Sequence, residues 1–212
     1  MTEAERDREP RIGLRIEWGV AHLAAPGEVE SGDRHVVRTF PDGALIAALD
    51  GLGHGAQAAA AARIATVVLE AHPRESVISL ARRCHEALTQ ARGVTMSLAS
   101  FNAQDGTMTW LGVGNVEGLL IRGHSGSAPT RESLLLRGGV VGYQLPHLYA
   151  TVIPVASGDL LVFATDGIRQ DFGEHLSTAD APQHVADRIL AKCGKGTDDA
   201  LVLVVSFLGE AP

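Results

Sequence analysis

The chain has 212 residues, of which 45% are hydrophobic, so it is long enough to bury one well-filled globular core and short for two. Its formal net charge is -7 at pH 7, and its lysines and arginines form no cluster. Phosphate backbones bind to basic surfaces, so this charge balance argues against a nucleic acid partner.

The first ten residues, MTEAERDREP, are charged and lack the apolar segment of a secretory signal. No apolar run in the sequence approaches the length needed to span a bilayer. The two cysteines, Cys84 and Cys193, lack metal-ligand spacing and are too few for a disulfide framework. We therefore expect a cytoplasmic protein in which residues 1–10 are a disordered lead-in and residues 11–209 form one domain.

The first half of the chain predicts strands, two helices and a hairpin. Alternating or continuous apolar runs indicate strands, and an alanine-rich segment indicates the first helix. The second helix has apolar residues at the spacing of a core-facing stripe, and Asp105-Gly106 is typical of a hairpin turn. The predicted elements are strands 12–21, 34–40 and 44–49, helix 56–71, a helix from 77 that ends at Gly93, and strands 94–102 and 107–113.

The second half predicts further strands and a third helix, for which Asp180 is available as the N-cap, with a proline in the first turn. The predicted elements are strands 117–122, 133–137, 148–154 and 159–164, helix 182–192 and strand 200–207. Strands come in runs and helices in blocks. This order favours a layered α+β architecture over an alternating one with crossover helices.

Acidic residues recur at the edges of apolar runs, next to a glycine or another acid, where a strand would emerge from the core. They are Asp33, Asp50, Asp166 and the adjacent pair Asp198 and Asp199. Carboxylates gathered at strand ends repel one another unless a cation lies among them. Oxygen ligands suit hard ions such as Mg²⁺ or Mn²⁺, and a flanking glycine lets a backbone carbonyl or a water approach the ion.

A pair of such ions favours the hydrolysis of phosphate esters. Two ions lower the pKa of a bridging water, orient it for in-line attack and neutralise the phosphoryl oxygens, so no nucleophilic side chain is needed. The sequence contains no Gly-x-Ser-x-Gly elbow, Walker A loop or Rossmann fingerprint, which removes the main competing enzyme classes. Each Asp-Gly alone is at least as often a simple turn, so the prediction depends on the four positions occurring together.

These residues together resemble the PPM group of metal-dependent protein phosphatases, in the bacterial branch that includes the sporulation phosphatase SpoIIE. The resemblance covers about residues 12–207. Gly-Val-Gly-Asn-Val-Glu-Gly at 112–118 and Gly-Val-Val-Gly-Tyr-Gln-Leu-Pro at 139–146 are similar to the RsbX-type, stand-alone stressosome phosphatases of that branch. The resemblance implies an α+β fold, a four-layer α-β-β-α sandwich with two central, mainly antiparallel sheets and two divalent ions, Mn²⁺ or Mg²⁺, at one end.

The resemblance also implies the ligand set. It implies that Asp50 bridges both ions, that the Gly51 carbonyl joins it, and that Asp33 serves one ion directly or through water. It implies that Asp166 and Asp198 complete the shell of the other ion, with the role of Asp199 left open. Many relatives carry Asp-Asp-x-Thr where this chain has Asp-Asp-Ala-Leu at 198–201, so any role of that hydroxyl is lost here.

His54 belongs to the motif Asp-Gly-Leu-Gly-His-Gly. Histidine is the side chain in this motif whose ordinary pKa lies near neutrality, so His54 is a candidate to protonate the leaving serine or threonine oxygen. The alternative is that it caps the helix that starts at Ala56 or hydrogen-bonds a metal-bound water. Asn115 lies among glycines and either contacts the substrate or satisfies a turn.

The function implied by the resemblance is hydrolysis of phosphoserine or phosphothreonine on partner proteins. The expected substrates are scaffold and antagonist proteins of the stressosome, and the expected outcome is negative feedback in stress signalling. Two alternatives stay open: a catalytically silent binding module of the same fold, and a hydrolase of small phosphate esters. Retention of every acidic position argues against the silent module, because clustered carboxylates are costly. We expect no membrane partner, and a monomer.

Overall fold

The computed structural model describes residues 15–123, 131–174 and 176–208, so the predicted lead-in at 1–10 lies outside the described residues. Three α-helices occur in these ranges, α1 (Ala56–Ala71), α2 (Val77–Ala87) and α3 (Pro182–Cys193), together with a short 3-10 helix at Gln170–Gly173. The strands are β1 (Arg15–Leu23), β2 (Asp33–Phe40), β3 (Gly43–Gly51), β4 (Val94–Asn102), β5 (Thr107–Val113), β6 (Glu117–Ile121), β7 (Arg131–Ser133), β8 (Leu136–Arg137), β9 (Thr151–Pro154), β10 (Leu160–Ala164) and β11 (Ala200–Leu208).

The strands form two sheets. One has the order β1-β11-β10-β6-β7, and the other has the order β2-β3-β4-β5-β8 with β9 also paired to β5. Every pairing is antiparallel except the short β5–β8 pair. Helices α1 and α2 cover the second sheet and α3 covers the first, with buried apolar clusters in all three gaps. The predicted four-layer α+β sandwich is confirmed.

Several local predictions were wrong. Helix α2 ends at Ala87 and does not continue to Gly93, and strand β9 begins at Thr151 instead of 148. The segment predicted as one strand, 133–137, forms β7 in one sheet and β8 in the other, because the chain crosses between the sheets and buries Leu134 in the central core.

Asp180 does not cap α3, whose N-cap is Ala181 without a side-chain bond. The carboxylate of Asp180 instead forms an ion pair with the guanidinium of Arg188 at 2.8 Å, which ties the segment before α3 to the helix.

Strand register gathers the acidic segments at one end of the sandwich. Asp33 at the start of β2 pairs with Asp50 near the end of β3. The end of β10 runs beside the start of β11, and the end of β1 also meets the start of β11. The turns that follow β10 and precede β11 therefore lie at the same end, and these turns carry the remaining acidic positions.

None of the helices among the described residues is both long enough and apolar enough to cross a membrane. Cys84 lies in the core between α2 and the sheet, as expected from its place on the apolar face of the helix. Burial raises the pKa of its thiol to about 12, which makes it an unreactive packing residue.

Candidate active site

The buried part of the acidic cluster comes from two neighbouring strands. Asp33 and Asp50 are Cα partners in the antiparallel β2–β3 pair, and residues opposite each other in such a pair point to the same face. Asp33 is 6% exposed and Asp50 is half-buried. The register alone therefore holds two carboxylates side by side in a poorly solvated place.

The pKa of Asp33 is raised to about 8, mainly by burial and then by the neighbouring Asp50 carboxylate, while a hydrogen bond from Thr165 acts to lower it. Burial also raises the pKa of Asp50 to about 7, with Asp166 and Asp198 adding to the effect. Asp199 contributes to both shifts. The structure thus brings all five predicted acidic residues into one electrostatically coupled cluster, and the ionised form of its buried pair is destabilised.

Asp166 stands in the turn after β10, and a short chain of polar side chains orients it. The amide Nδ2 of Asn115 donates to Oδ2 of Asp166 at 2.7 Å. The hydroxyl of Thr95 donates to Oδ1 of Asn115 at 2.5 Å. A hydrogen bond from Asn115 also acts on Asp50, where it lowers the pKa against the effect of burial. Asn115 therefore links the carboxylates of the two sheets.

Thr165 makes a second link across the cluster. Its hydroxyl donates to Oδ2 of Asp33 at 2.7 Å and accepts from the backbone N–H of Leu201 at 2.8 Å. One side chain thus ties the end of β10 to the start of β2 and to β11. The orientation of Asp33 is set by this contact as well as by the strand pairing.

Asp198 and Asp199 are neighbours with different surroundings. Asp198 is exposed, and its Oδ1 accepts the backbone N–H of Asp199. Asp199 is 4% exposed, and its two oxygens accept the backbone N–H groups of Ala25 and Gly32, each at 2.8 Å. Asp199 therefore fastens the connection between β1 and β2 to the start of β11.

Gly51 ends β3 against the first turn of α1. A Cβ at this position would lie 2.3 Å from the carbonyl oxygen of Ala58, so the close approach of strand and helix requires glycine. The Gly51 N–H donates to the carbonyl of Gly32 at 3.2 Å. Both glycines thereby keep the backbone beside Asp33 and Asp50 free of side chains.

His54 lies on the exposed loop between β3 and α1. Its Nδ1 is 2.7 Å from Oε1 of Glu28, in the connection between β1 and β2. The N-cap of α1 is Gly55, whose φ is 75°, and it has no side-chain cap bond, so His54 does not act as the helix cap. A carboxylate on Nδ1 leaves Nε2 as the ring nitrogen that faces other groups.

The chemistry of the cluster fits divalent ions. Its donors are carboxylates and a backbone carbonyl, which hard cations prefer, and a cation would relieve the charge that raises the pKa values of Asp33 and Asp50. Within the described ranges, no three His, Cys, Asp or Glu side chains converge closely enough to form a ready-made ligand group. The residues that would hold the ions are the six predicted ones: Asp33, Asp50, Gly51, Asp166, Asp198 and Asp199.

A cavity of about 260 Å³ opens beside the exposed half of the cluster. Its polar lining comes from Asn115, Thr165, Asp166, Gln170 and Lys195, and apolar residues form the rest of its wall together with Glu117. The cavity brings together groups from the turn after β5, the turn after β10 and the segment after α3. A phosphate ester bound here would lie against Asp166.

Sequence reasoning placed the carboxylates but missed their partners. Thr165 was visible in the Thr-Asp-Gly motif, where a hydroxyl next to the acidic residue was the available signal. Asn115 was recognised as ambiguous, and its contact with Asp166 spans 51 residues. Glu28 had no signal at all, because nothing local shows that it meets His54.

Comparisons with known proteins identify the family of this chain. The family profile described as Stage II sporulation protein E (SpoIIE) matches residues 41–208. The phosphoserine phosphatase RsbX of Bacillus subtilis (strain 168) is 26% identical over 186 residues, which cover 87% of this chain and 91% of the relative.

Solved structures share the whole fold. One solved chain comes from work on the bacterial stressosome, described as a modular system that has been adapted to control secondary messenger signalling. Its structure matches with a TM-score of 0.81 and 27% sequence identity, over 90% of this chain and 99% of the other. RsbX in complex with magnesium also has a TM-score of 0.81, with 21% identity, over 92% of this chain and 99% of the other. The chain belongs to the SpoIIE family of PPM-type protein phosphatases.

Proposed function

We propose that this chain is a metal-dependent phosphatase that hydrolyses phosphoserine or phosphothreonine on partner proteins, and that it uses two divalent ions, Mn²⁺ or Mg²⁺. The observation that carries this proposal is the pairing of Asp33 with Asp50, two carboxylates with raised pKa values in adjacent strands. The relative named phosphoserine phosphatase and the magnesium complex of RsbX support the reaction and the metal dependence.

The ions would be held by the carboxylates of the cluster and the Gly51 carbonyl. When bound, they would supply Lewis acidity that activates water and offsets the charge of the phosphoryl oxygens. The strand pairing holds Asp33 and Asp50 in place before any substrate arrives. Asn115 keeps the carboxylate of Asp166 turned toward the cluster, so a loop residue gains a fixed orientation.

In the reaction, a water oxygen bonds to phosphorus and the bond from phosphorus to the serine or threonine oxygen breaks. The leaving oxygen takes up one proton, and the products are the free hydroxyl and inorganic phosphate. His54 is the proposed donor of that proton, through Nε2, while Glu28 holds Nδ1 and fixes the ring. Its exposure suits a group that must meet a substrate carried on another protein.

We further propose that the substrates are phosphorylated scaffold or antagonist proteins of a stressosome, and that their dephosphorylation resets a stress signal by negative feedback. The likeness to RsbX and to a chain studied as part of the bacterial stressosome supports this choice of partner. The protein would act in the cytoplasm and as a monomer.

The test is hydrolysis of a phosphoserine peptide by the purified protein with Mn²⁺, with Mg²⁺ and with a chelator. We expect turnover with at least one ion and none with the chelator. A nucleotide monophosphate serves as the comparison substrate, and faster turnover of the nucleotide would point to a small phosphate-ester hydrolase instead. Absence of turnover with either ion would favour a silent binding module.

A further inference from the structure

Lys195 places a positive charge beside Asp166, at the edge of the carboxylate cluster. The ammonium Nζ of Lys195 donates to the backbone carbonyl oxygen of Asp166 at 2.5 Å. Lys195 also lines the 260 Å³ cavity together with Asn115 and Thr165. Among the described residues that line this cavity, Lys195 is the only cation, whereas Asp166 and Glu117 are acidic.

Lys195 is held in this position by backbone contacts as well as by the hydrogen bond from its side chain. Its N–H donates to the carbonyl of Gly167 at 2.8 Å, and the N–H of Arg169 donates to the carbonyl of Cys193 at 2.9 Å. The segment after α3 is thereby paired with the turn after β10. A change of the Lys195 side chain should leave this pairing, and the carboxylate of Asp166, in place.

The ammonium retains donors for a ligand. A lysine has three N–H donors, and the carbonyl of Asp166 takes one of them. A phosphate ester that enters a site with five carboxylates is repelled unless positive charge offsets theirs. An ammonium at the wall of the cavity attracts a phosphoryl oxygen with the charge-assisted hydrogen bond that lysine commonly makes to phosphate.

We propose that Lys195 is a substrate-binding residue whose ammonium holds a phosphoryl oxygen of the phosphoserine or phosphothreonine in this cavity. The proposal rests on the proposed phosphatase function and adds to it a protein group that binds the phosphoryl group directly. Lys195 takes no part in proton transfer. Its contribution appears in the affinity for substrate and for the product, inorganic phosphate.

The experiment compares Lys195→Gln and Lys195→Arg with wild type, and uses Lys192→Gln as the matched control. Lys192 is an exposed lysine in the last turn of α3 that lines a different cavity, so its replacement changes the net charge equally. We would measure KM for a phosphoserine peptide and for an aryl phosphate, and the Kd of inorganic phosphate by calorimetry in Mg²⁺ buffer.

For Lys195→Gln we expect all three constants to rise by about tenfold or more, as for loss of a hydrogen bond to a charged group. Lys195→Arg should restore most of the affinity, and Lys192→Gln should leave it unchanged. The half-saturating Mn²⁺ concentration should stay the same or fall in Lys195→Gln, because a positive charge beside Asp166 has been removed. A rise in that concentration would overturn the proposal and assign Lys195 to the support of the metal site.

Two further outcomes would also overturn it. If Lys195→Gln weakens binding of the peptide but not of the aryl phosphate or inorganic phosphate, Lys195 contacts the polypeptide that flanks the phosphoserine. If Lys195→Gln and Lys192→Gln weaken binding equally, the loss comes from the change in net charge and not from a specific contact. The Kd of inorganic phosphate tests the Lys195 contact even if the protein proves to have no phosphatase activity. If wild type binds phosphate but turns over no substrate, a weaker Kd in Lys195→Gln still supports the contact, and an unchanged Kd refutes it.

Discussion

The two sheets contribute to the acidic cluster in different ways. In the six-stranded sheet, Asp33 and Asp50 belong to paired strands, lie in poorly solvated places and have raised pKa values. In the five-stranded sheet, Asp166 and Asp198 stand in exposed turns beyond the strand ends. One half of the site is thus fixed by backbone pairing at an electrostatic cost, and the other half is oriented by side-chain hydrogen bonds such as the one from Asn115.

The difference assigns the two halves separate tasks. The buried pair cannot move apart without breaking the β2–β3 pairing, so under the proposed function it would be the fixed part of a cation site. The exposed Asp166 lies where the cavity opens, so under the same proposal the substrate would reach the site from its side. The predictions below test this division.

The largest effect is expected at the fixed half. Asp50→Asn should lower kcat for a phosphoserine peptide by more than about 100-fold, the loss typical of removing one preorganised electrostatic group from an active site. Asp42→Asn is the matched control, because Asp42 is exposed in the turn at the opposite end of β3. Stopped-assay release of phosphate measures both variants. Equal activity of the two would contradict the role of Asp50.

A somewhat smaller effect is expected for the proposed proton donor. His54→Gln should lower kcat by about 100-fold on phosphoserine, at the low end of general acid catalysis, and far less on an aryl phosphate whose leaving group needs no proton. His72→Gln is the control, since His72 is a half-exposed histidine beside a carboxylate at the other end of α1. Equal losses on the two substrates would remove His54 from the proton transfer.

The neighbours Asp198 and Asp199 are expected to differ in how much each contributes to the stability of the fold. Asp199→Asn should be less stable than Asp198→Asn by about 1–3 kcal/mol, because the amide offers one acceptor oxygen to the N–H groups of Ala25 and Gly32, and a buried donor loses its partner. Both variants remove one negative charge, so the difference reports the hydrogen bonds. Urea unfolding of the metal-free proteins measures it, and equal stability would refute the structural role of Asp199.

The smallest effect is expected in the pH dependence of the metal-free protein. The folded-state pKa values of Asp33 and Asp50 lie above the ordinary value of 3.8, so their contribution to stability is fully present below that value and is lost as the pH rises through about 7 and about 8. Between pH 4 and 8, wild type should lose at least about 1 kcal/mol relative to Asp33→Asn.

The titration of His35 changes the stability in the opposite sense, because burial lowers its pKa. Wild type and Asp33→Asn both contain His35, so the difference between their stabilities removes its contribution. Urea unfolding at each pH gives the free energies. Parallel pH profiles for wild type and Asp33→Asn would contradict the raised pKa of Asp33.

Sequence patterns predicted elements that depend on local periodicity. Helix α1 and strands β4 and β5 have the predicted bounds, because alanine content and apolar alternation are local properties. The shared end of the sandwich was predictable because the acidic residues lay at the edges of apolar runs, where strands begin or end. The crossing at Leu134 and the contacts of Glu28 and Asn115 were not, because each depends on which distant segments the fold brings together.

The central claim is that the acidic cluster holds divalent ions, and calorimetric titration of Mn²⁺ into the metal-free protein tests it most directly. We predict that wild type binds two ions per chain, that Asp42→Asn binds them equally well, and that Asp50→Asn loses this binding over the same concentration range while it keeps a folded circular dichroism spectrum. Absence of binding to wild type, or unchanged binding to Asp50→Asn, would contradict the account.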